Sequence, residues 1–214
     1  MNLETTVRNL EKNQIDVTVV DTKEDALRLV QEWLQSGGSV ATGGSKTLEE
    51  CGITDYLKQA EHLKLLRRDN PKLTEQERAD ADWLAYRADY FLLSANAVTE
   101  QGELFNVDGY GNRVSNLICG AKQVIAVVGI NKLVKDLDEA AYRLKTVAAP
   151  LNTKRLNKNT PCAKTGQCIA LSENRSGWTA GCNSPERICC SYVVTAYQRT
   201  KRVRVIFVKE SLGY

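Results

Sequence analysis

Three stretches of this sequence hold residue types that do chemistry. The first is residues 157–191, which carry five of the seven cysteines: Cys162, Cys168, Cys182, Cys189 and Cys190. Their spacing is C-x5-C-x13-C-x6-C, with Cys190 adjacent to the last. There is no Cys-x2-Cys pair, so the pattern is not that of a zinc ribbon or finger. The sole histidine, His62, is remote in sequence. A metal here would therefore rest mainly on thiolates, which suit an iron–sulfur cluster or zinc, with the cluster favoured. Free cysteines also pack as small hydrophobes, but a polar stretch broken by Pro161 and Pro185 is a poor place for that. Lys158, Lys164 and Arg187 stand ready to offset thiolate charge. Cys51 and Cys119 lie among apolar residues and are expected in the core.

The second stretch is Gly43-Gly44-Ser45-Lys46-Thr47, a glycine-rich turn between an expected strand and an expected helix. Such a turn offers backbone N–H groups to an anion, and the hydroxyls of Ser45 and Thr47 and the Lys46 ammonium add to them. It is not a P-loop, because Gly44 stands where the lysine is required. A helix cap with a tight turn is the structural alternative. The third stretch is Thr99–Arg113, TEQGELFNVDGYGNR. Glu100 and Glu103 are candidate bases or nucleophiles beside Gly102. Asn112 and Arg113 could read a carboxylate or phosphate, since Arg presents a bidentate fork. Asp108-Gly109 is a hairpin-turn signal, so Asp108 is expected to shape a turn. A solvated surface hairpin is the plainer reading of these charges.

The elements that must hold these stretches alternate between two periods. Ile15, Val17 and Val19 alternate with polar residues as in a strand. Asp21-Thr22 starts a helix whose apolar face is Ala26, Leu27, Val30, Trp33 and Leu34, ended by Gly37-Gly38. Ser39–Thr42 is a strand running into the glycine turn, and a helix follows from about Leu48. His62–Leu66 is a weak strand, interrupted at Asn70-Pro71. Thr74–Ala85 is a helix with Thr74 as cap and Glu77 three residues on. Tyr90–Leu93 and Gln123–Val128 are apolar runs of the kind buried in parallel sheets. Lys132–Ala148 reads as an amphipathic helix, and Val203–Val208 as a last strand. Alternating β and α units predict an α/β fold with a largely parallel central sheet flanked by helices, followed by an irregular cysteine-rich loop.

The 214 residues suffice for one domain, 1–214, with a sizeable core. A net charge of +3 is too small to imply nucleic acid or an anionic membrane surface. No apolar run is long enough to span a bilayer. The polar start MNLETTVRNLEKNQ does not read as a secretory signal, so a reducing cytoplasm is expected, where clustered cysteines suggest metal or redox chemistry.

The run ADYFLLSANAVTEQGELFNVDGYGNRV, then CGAKQVIAVVGINKLVKDLDEA, APLNTKRLN, TPCAKTGQC and SPERIC, resembles the lactate-utilisation (LUD) domain family over essentially the whole chain. GGSKTLEECG fits the same resemblance. It implies the fold shared by ribose-5-phosphate isomerase, glucosamine-6-phosphate deaminase, coenzyme A transferases and 5-formyltetrahydrofolate cyclo-ligase. In that fold, loops at strand ends surround a phosphorylated or carboxylated small molecule. It also implies a bacterial system that oxidises lactate to pyruvate with iron–sulfur partner proteins, and a homo-oligomer by superfamily analogy. On that basis the phosphate turn falls on Gly43, Gly44, Ser45 and Thr47. The acid that is catalytic in coenzyme A transferases falls on Glu100. The tail resembles a subgroup reading Pro-Cys, Thr-Gly-x-Cys, a further Cys and Ser-Pro-x-Arg-Ile-Cys, which assigns Cys162, Cys168, Cys182 and Cys189 as ligands of a 4Fe–4S cluster. Its departure is the insertion IALSENRSGWTAG before Cys182, which leaves Cys190 as a substitute ligand.

Two function classes follow. One is a redox component with an iron–sulfur centre that acts with partners on a 2-hydroxy or 2-oxo acid. The other is a non-redox isomerase or transferase with Glu100 as acid/base and a structural zinc or no metal. A regulatory binding domain without turnover is a third.

Overall fold

The computed structural model describes residues 1–66 and 73–214. The strands among them are β1 (Asp16–Val20), β2 (Gly38–Thr42), β3 (Leu63–Leu66), β4 (Tyr90–Leu93), β5 (Ala97–Thr99), β6 (Leu104–Asp108), β7 (Gln123–Gly129), β8 (Leu133–Val134), β9 (Ser191–Thr195) and β10 (Val203–Val208). Six form the main sheet in the order β1-β10-β7-β4-β2-β3, every neighbouring pair parallel. The break expected at Asn70-Pro71 lies outside the described residues.

Side chains alternate across a strand, and the central strands are apolar on both faces. Phe91, Leu93, Val124, Ala126, Val128, Val205 and Phe207 enter one core layer with Leu10 and Ile15. Leu92, Ile125, Val127, Ile206 and Val208 enter the other, with Val30, Leu34, Leu48 and Ile53 from the covering helices. Continuous apolar runs are thus explained by burial on both sides. Helix Lys23–Trp33 begins where Thr22 and Asp25 form a capping box, and Thr74 with Glu77 does the same for Glu75–Tyr86.

Asp89 ties β4 to β2. Its carboxylate accepts from Lys122 Nζ at 2.8 Å and from the Ser39 hydroxyl and N–H at 2.7 and 2.8 Å. The Lys122 bond first, then those from Ser39, hold its carboxyl far below the usual carboxylate range. A carboxylate depressed in the fold contributes stability above its unfolded pKa of about 3.9. That stability is lost as pH falls through the folded value. Asp89→Asn is expected to flatten this part of the acid limb when the melting temperature is followed from about pH 5 down to pH 2.

A second sheet, β8-β5-β6-β9, leans on a third core layer built from Ala97, Phe105, Val107, Ala140, Ala141, Leu144 and Ala148. Here the structure departs from the expected pattern. The hairpin turn lies at Glu100–Glu103, between antiparallel β5 and β6, with Gly102 at φ +80°. Asp108 accepts instead from the N–H groups of Tyr110 and Gly111, both at 3.2 Å, and turns the chain into helix Asn112–Cys119. Cys119 is exposed rather than in the core, because it ends that helix on its outer face; Cys51 is buried.

The amphipathic segment also starts later than expected. Residues 130–132 form a single 3-10 turn, β8 follows, and Asp136 caps the helix beginning at Leu137. That helix then runs through Pro150 to Arg155, with a π-helical stretch at Leu144–Ala148. Proline explains the widened turn. The Ala149 N–H bonds back to Leu144 O, and in this register the next donor would be Pro150, which has none. The freed Lys145 carbonyl accepts from Cys168 N at 2.9 Å. No helix among the described residues is long and apolar enough to cross a membrane.

Candidate functional site

The loops after β2, β4, β7 and β10 meet at the carboxyl ends of the parallel strands, where open α/β sheets place their ligands. They enclose a polar cleft of about 350 Å³ including its open mouth. Gly44, Ser45 and Lys46 come from the first loop, Ser94, Ala95 and Asn96 from the second, Lys132 from the third and Tyr214 from the last; Arg113, Asn152 and Arg155 come from helices. No lining residue is acidic and four are basic: Lys46, Arg113, Lys132 and Arg155.

Arg113 is nearly buried and fixed from three directions. Its Nη2 donates to Val107 O at 2.6 Å and Asn96 Oδ1 at 3.3 Å, and its Nε faces Asp108 Oδ2 at 3.4 Å. Burial pushes its pKa down and Asp108 pulls it back; a guanidinium stays charged under such pressure. Gly43 makes room for this side chain, since a Cβ there would lie 2.7 Å from Arg113 Cδ. Arg155 is oriented by Asn152 Oδ1, which accepts from its Nε and Nη2 at 3.2 and 2.9 Å and from the Tyr214 hydroxyl at 3.2 Å.

Lys132 is buried at the cleft floor, 2% exposed. Its Nζ donates to Thr47 Oγ1 at 2.8 Å and Ser94 Oγ at 2.9 Å. Burial, then Arg143 and Arg113, push this ammonium down to about 7. Gly213 closes over it at φ +57°; a Cβ would fall 2.5 Å from Thr47 Oγ1. Gly213→Ala is therefore expected to destabilise by at least about 1–2 kcal/mol from the left-handed backbone alone, and to lift residues 212–214 off the cleft. Thermal denaturation, with amide exchange at Leu212, checks this.

Of the expected anion residues, the structure brings Gly44, Ser45, Lys46 and Arg113 into the cleft, with Gly43 behind Arg113 and Thr47 beneath Lys132. Ser45 Oγ also caps Leu48 N at 3.3 Å. Asn112 does not line the cleft; its carbonyl accepts from Ser115 and Asn116. Glu100 lies elsewhere, accepting from Asn2 N at 2.6 Å and facing the amino terminus at 3.6 Å. Glu103 accepts from Thr99 Oγ1 at 2.8 Å.

The cysteine segment builds a second site. Cys162, Cys168, Cys182 and Cys189 all line one small cavity, together with Leu144, Lys145, Ala149 and Tyr192. Cys190 is exposed, with its Sγ toward Arg187 O. Cys162 Sγ lies 3.5 Å from Thr153 Oγ1 and 3.3 Å from Thr160 Oγ1. Arg187 gathers the loop: it donates to Cys189 Sγ at 3.2 Å, Cys189 O at 2.8 Å, Cys182 O at 3.1 Å and Thr179 O at 2.8 Å. Burial pushes the Cys168 thiol up, and its neighbours Cys189 and Cys162 add to this. The insertion does not separate the cysteines, because Trp178 folds it down: its Nε1 donates to Asp138 Oδ1 at 2.7 Å and its ring meets Phe105 edge-on. Among the described residues no group of three or more His, Cys, Asp or Glu is drawn together around a single ion. The four cysteines share a cavity without being gathered about one point; their soft sulfur donors, with hydroxyl groups beside Cys162 and a guanidinium beside Cys189, are the residue types that a thiolate-bound cluster takes.

The LUD domain family's model matches residues 3–208. The chain belongs to the LUD domain family. A crystal structure of a DUF162 family protein from Deinococcus radiodurans is similar in fold, with a TM-score of 0.52 at 14% identity over 96% of this chain and 95% of that one. No match to a curated protein was found. Within this LUD domain, the sequence reading passed over Lys132, Ser94, Asn96, Asn152, Arg155 and Tyr214. A usable signal existed for the first two, since both follow apolar runs that end at a ligand-binding sheet edge.

Proposed function

We propose that this LUD-domain protein is a redox component of 2-hydroxy-acid utilisation, binding a small carboxylated or phosphorylated molecule in the cationic cleft and an iron–sulfur cluster on Cys162, Cys168, Cys182 and Cys189. The observation that supports the reading is that Cys162, Cys168, Cys182 and Cys189, spread over 28 residues, all line one cavity. A bound cluster would supply one-electron transfer. The protein's own contribution is to hold the thiolates, with Arg187 and the threonine hydroxyls tempering their charge. β6 joins the two sites: Asp108 fixes Arg113 through its carboxylate and accepts from Cys190 N at 3.1 Å through its carbonyl.

The test is iron and acid-labile sulfide analysis of protein purified without oxygen, with the absorption spectrum. Stoichiometric iron and sulfide, with a band at about 400 nm bleached by dithionite, is the expected result. A colourless protein with stoichiometric zinc would sink the cluster and favour the isomerase or transferase class.

A further inference from the structure

Anion binding alone does not account for the surroundings of Lys132. A residue meant only to add positive charge would stand at the cleft mouth in water, as Lys46 does beside Glu49 at 3.4 Å. Lys132 is instead buried, with both its hydrogen bonds going to neutral hydroxyls. A neutral amine has two N–H bonds and one lone pair. Thr47 and Ser94 take up two N–H bonds, which leaves the lone pair as the fourth tetrahedral direction. Gly213, having no side chain, keeps space near it; a Cβ there would lie 3.4 Å from Nζ.

We propose that Lys132 is a nucleophilic amine that condenses with the aldehyde or ketone carbon of a small molecule whose acid group is seated on the Arg113–Arg155 side of the cleft. The proposal rests on reading the cleft as an anion site and adds the reacting group. A desolvated lysine next to other cations is one established way to keep an amine unprotonated near neutrality. The charged and titratable groups around Nζ are Arg143, Arg113, Glu50 and Cys51, and burial with the two guanidiniums outweighs the others. The step balances without any oxidant or reductant. The Nζ lone pair forms a C–N bond as the carbonyl pair moves to oxygen, and that oxygen takes a proton given up by nitrogen. Loss of water then breaks the C–O bond and leaves C=N. The Ser94 hydroxyl, 2.9 Å from Nζ, is placed to pass the proton.

The experiment treats the full chain at neutral pH with pyruvate, glyoxylate or glycolaldehyde phosphate, each with sodium borohydride, followed by intact-mass measurement and peptide mapping. The expected result is one adduct per chain, heavier by the probe less one oxygen atom. It should sit on Lys132 at no less than about tenfold the level of any other lysine, since an ordinary lysine is almost wholly protonated at pH 7. Labelling by the carboxylated probes or by the phosphorylated one tells which acid group the cleft takes. Lys132→Arg should lose the adduct; should that variant not fold, mapping of the unaltered chain still decides. Labelling spread evenly over surface lysines, or absent from the Lys132 peptide, overturns the proposal. Thermal stabilisation by pyruvate or inorganic phosphate is measured alongside. Stabilisation without an adduct overturns the imine and leaves the anion cleft standing; neither effect removes both.

Discussion

Serine in place of Cys182 is expected to strip iron and sulfide from the anaerobically purified protein almost completely, while the far-ultraviolet spectrum stays unchanged. The cysteine cavity sits beside the second sheet, outside the two core layers that sandwich the main sheet. On the proposed reading, losing one sulfur removes a ligand without opening either core layer of the main sheet. Cys162→Ser should behave alike, with the added loss of the sulfur between Thr153 and Thr160. Cys190→Ser and Cys119→Ser are the internal controls, both being exposed and neither lining the cavity. Full metal content in the Cys162 and Cys182 variants would remove the cluster from this cavity, and loss of metal in Cys190→Ser would move the ligand set by one residue. Arg187→Gln should keep the metal but loosen the loop, since four hydrogen bonds leave with the guanidinium.

Phe105→Ala should cost about 3–5 kcal/mol of stability, the range for deleting a large ring from a packed interior. Phe105 is fully buried on β6. It meets Trp178 and Tyr192 edge-on, each ring centre 6.3 Å away, so one side chain anchors both the insertion and the strand that leaves the cysteine loop. Tyr192 also lines the cysteine cavity. The variant is thus expected to show a lower urea midpoint and, in native buffer, early proteolytic cleavage between residues 157 and 191. A normal midpoint would mean that the second sheet is held by its backbone ladder and the helix beneath it rather than by this ring.

The main sheet was legible because its central strands are apolar on both faces and bounded by glycine or capping residues, as at Gly37-Gly38 and Thr22. The glycine turn was legible for the same reason, lying where a strand gives way to a helix. The other side of the cleft was not. Lys132 begins a stretch, KLVKDLDEA, whose helical period conceals that Lys132 belongs to the preceding strand's loop and that Asp136 is the true cap. Arg155 and Asn152 were hidden behind Pro150, which ordinarily ends a helix but here is absorbed by a π turn. Asp108-Gly109 carried a hairpin signal that Asp108 spends on two N–H groups at a helix entrance. The cysteine positions could be named from sequence, but the cavity that four of them line depends on Trp178 and Arg187 holding the insertion, a long-range packing event that spacing does not encode.

The strand Val203–Val208 lies between β1 and β7, so among the described residues Asp16–Val20 pairs in its sheet only with a strand about 190 residues further along the chain. During synthesis the first strand must wait, with its pairing edge open, until Val203–Val208 has left the ribosome. Pairings this distant are slow to close. Until that strand emerges, the growing chain offers an exposed edge to chaperones or to its neighbours.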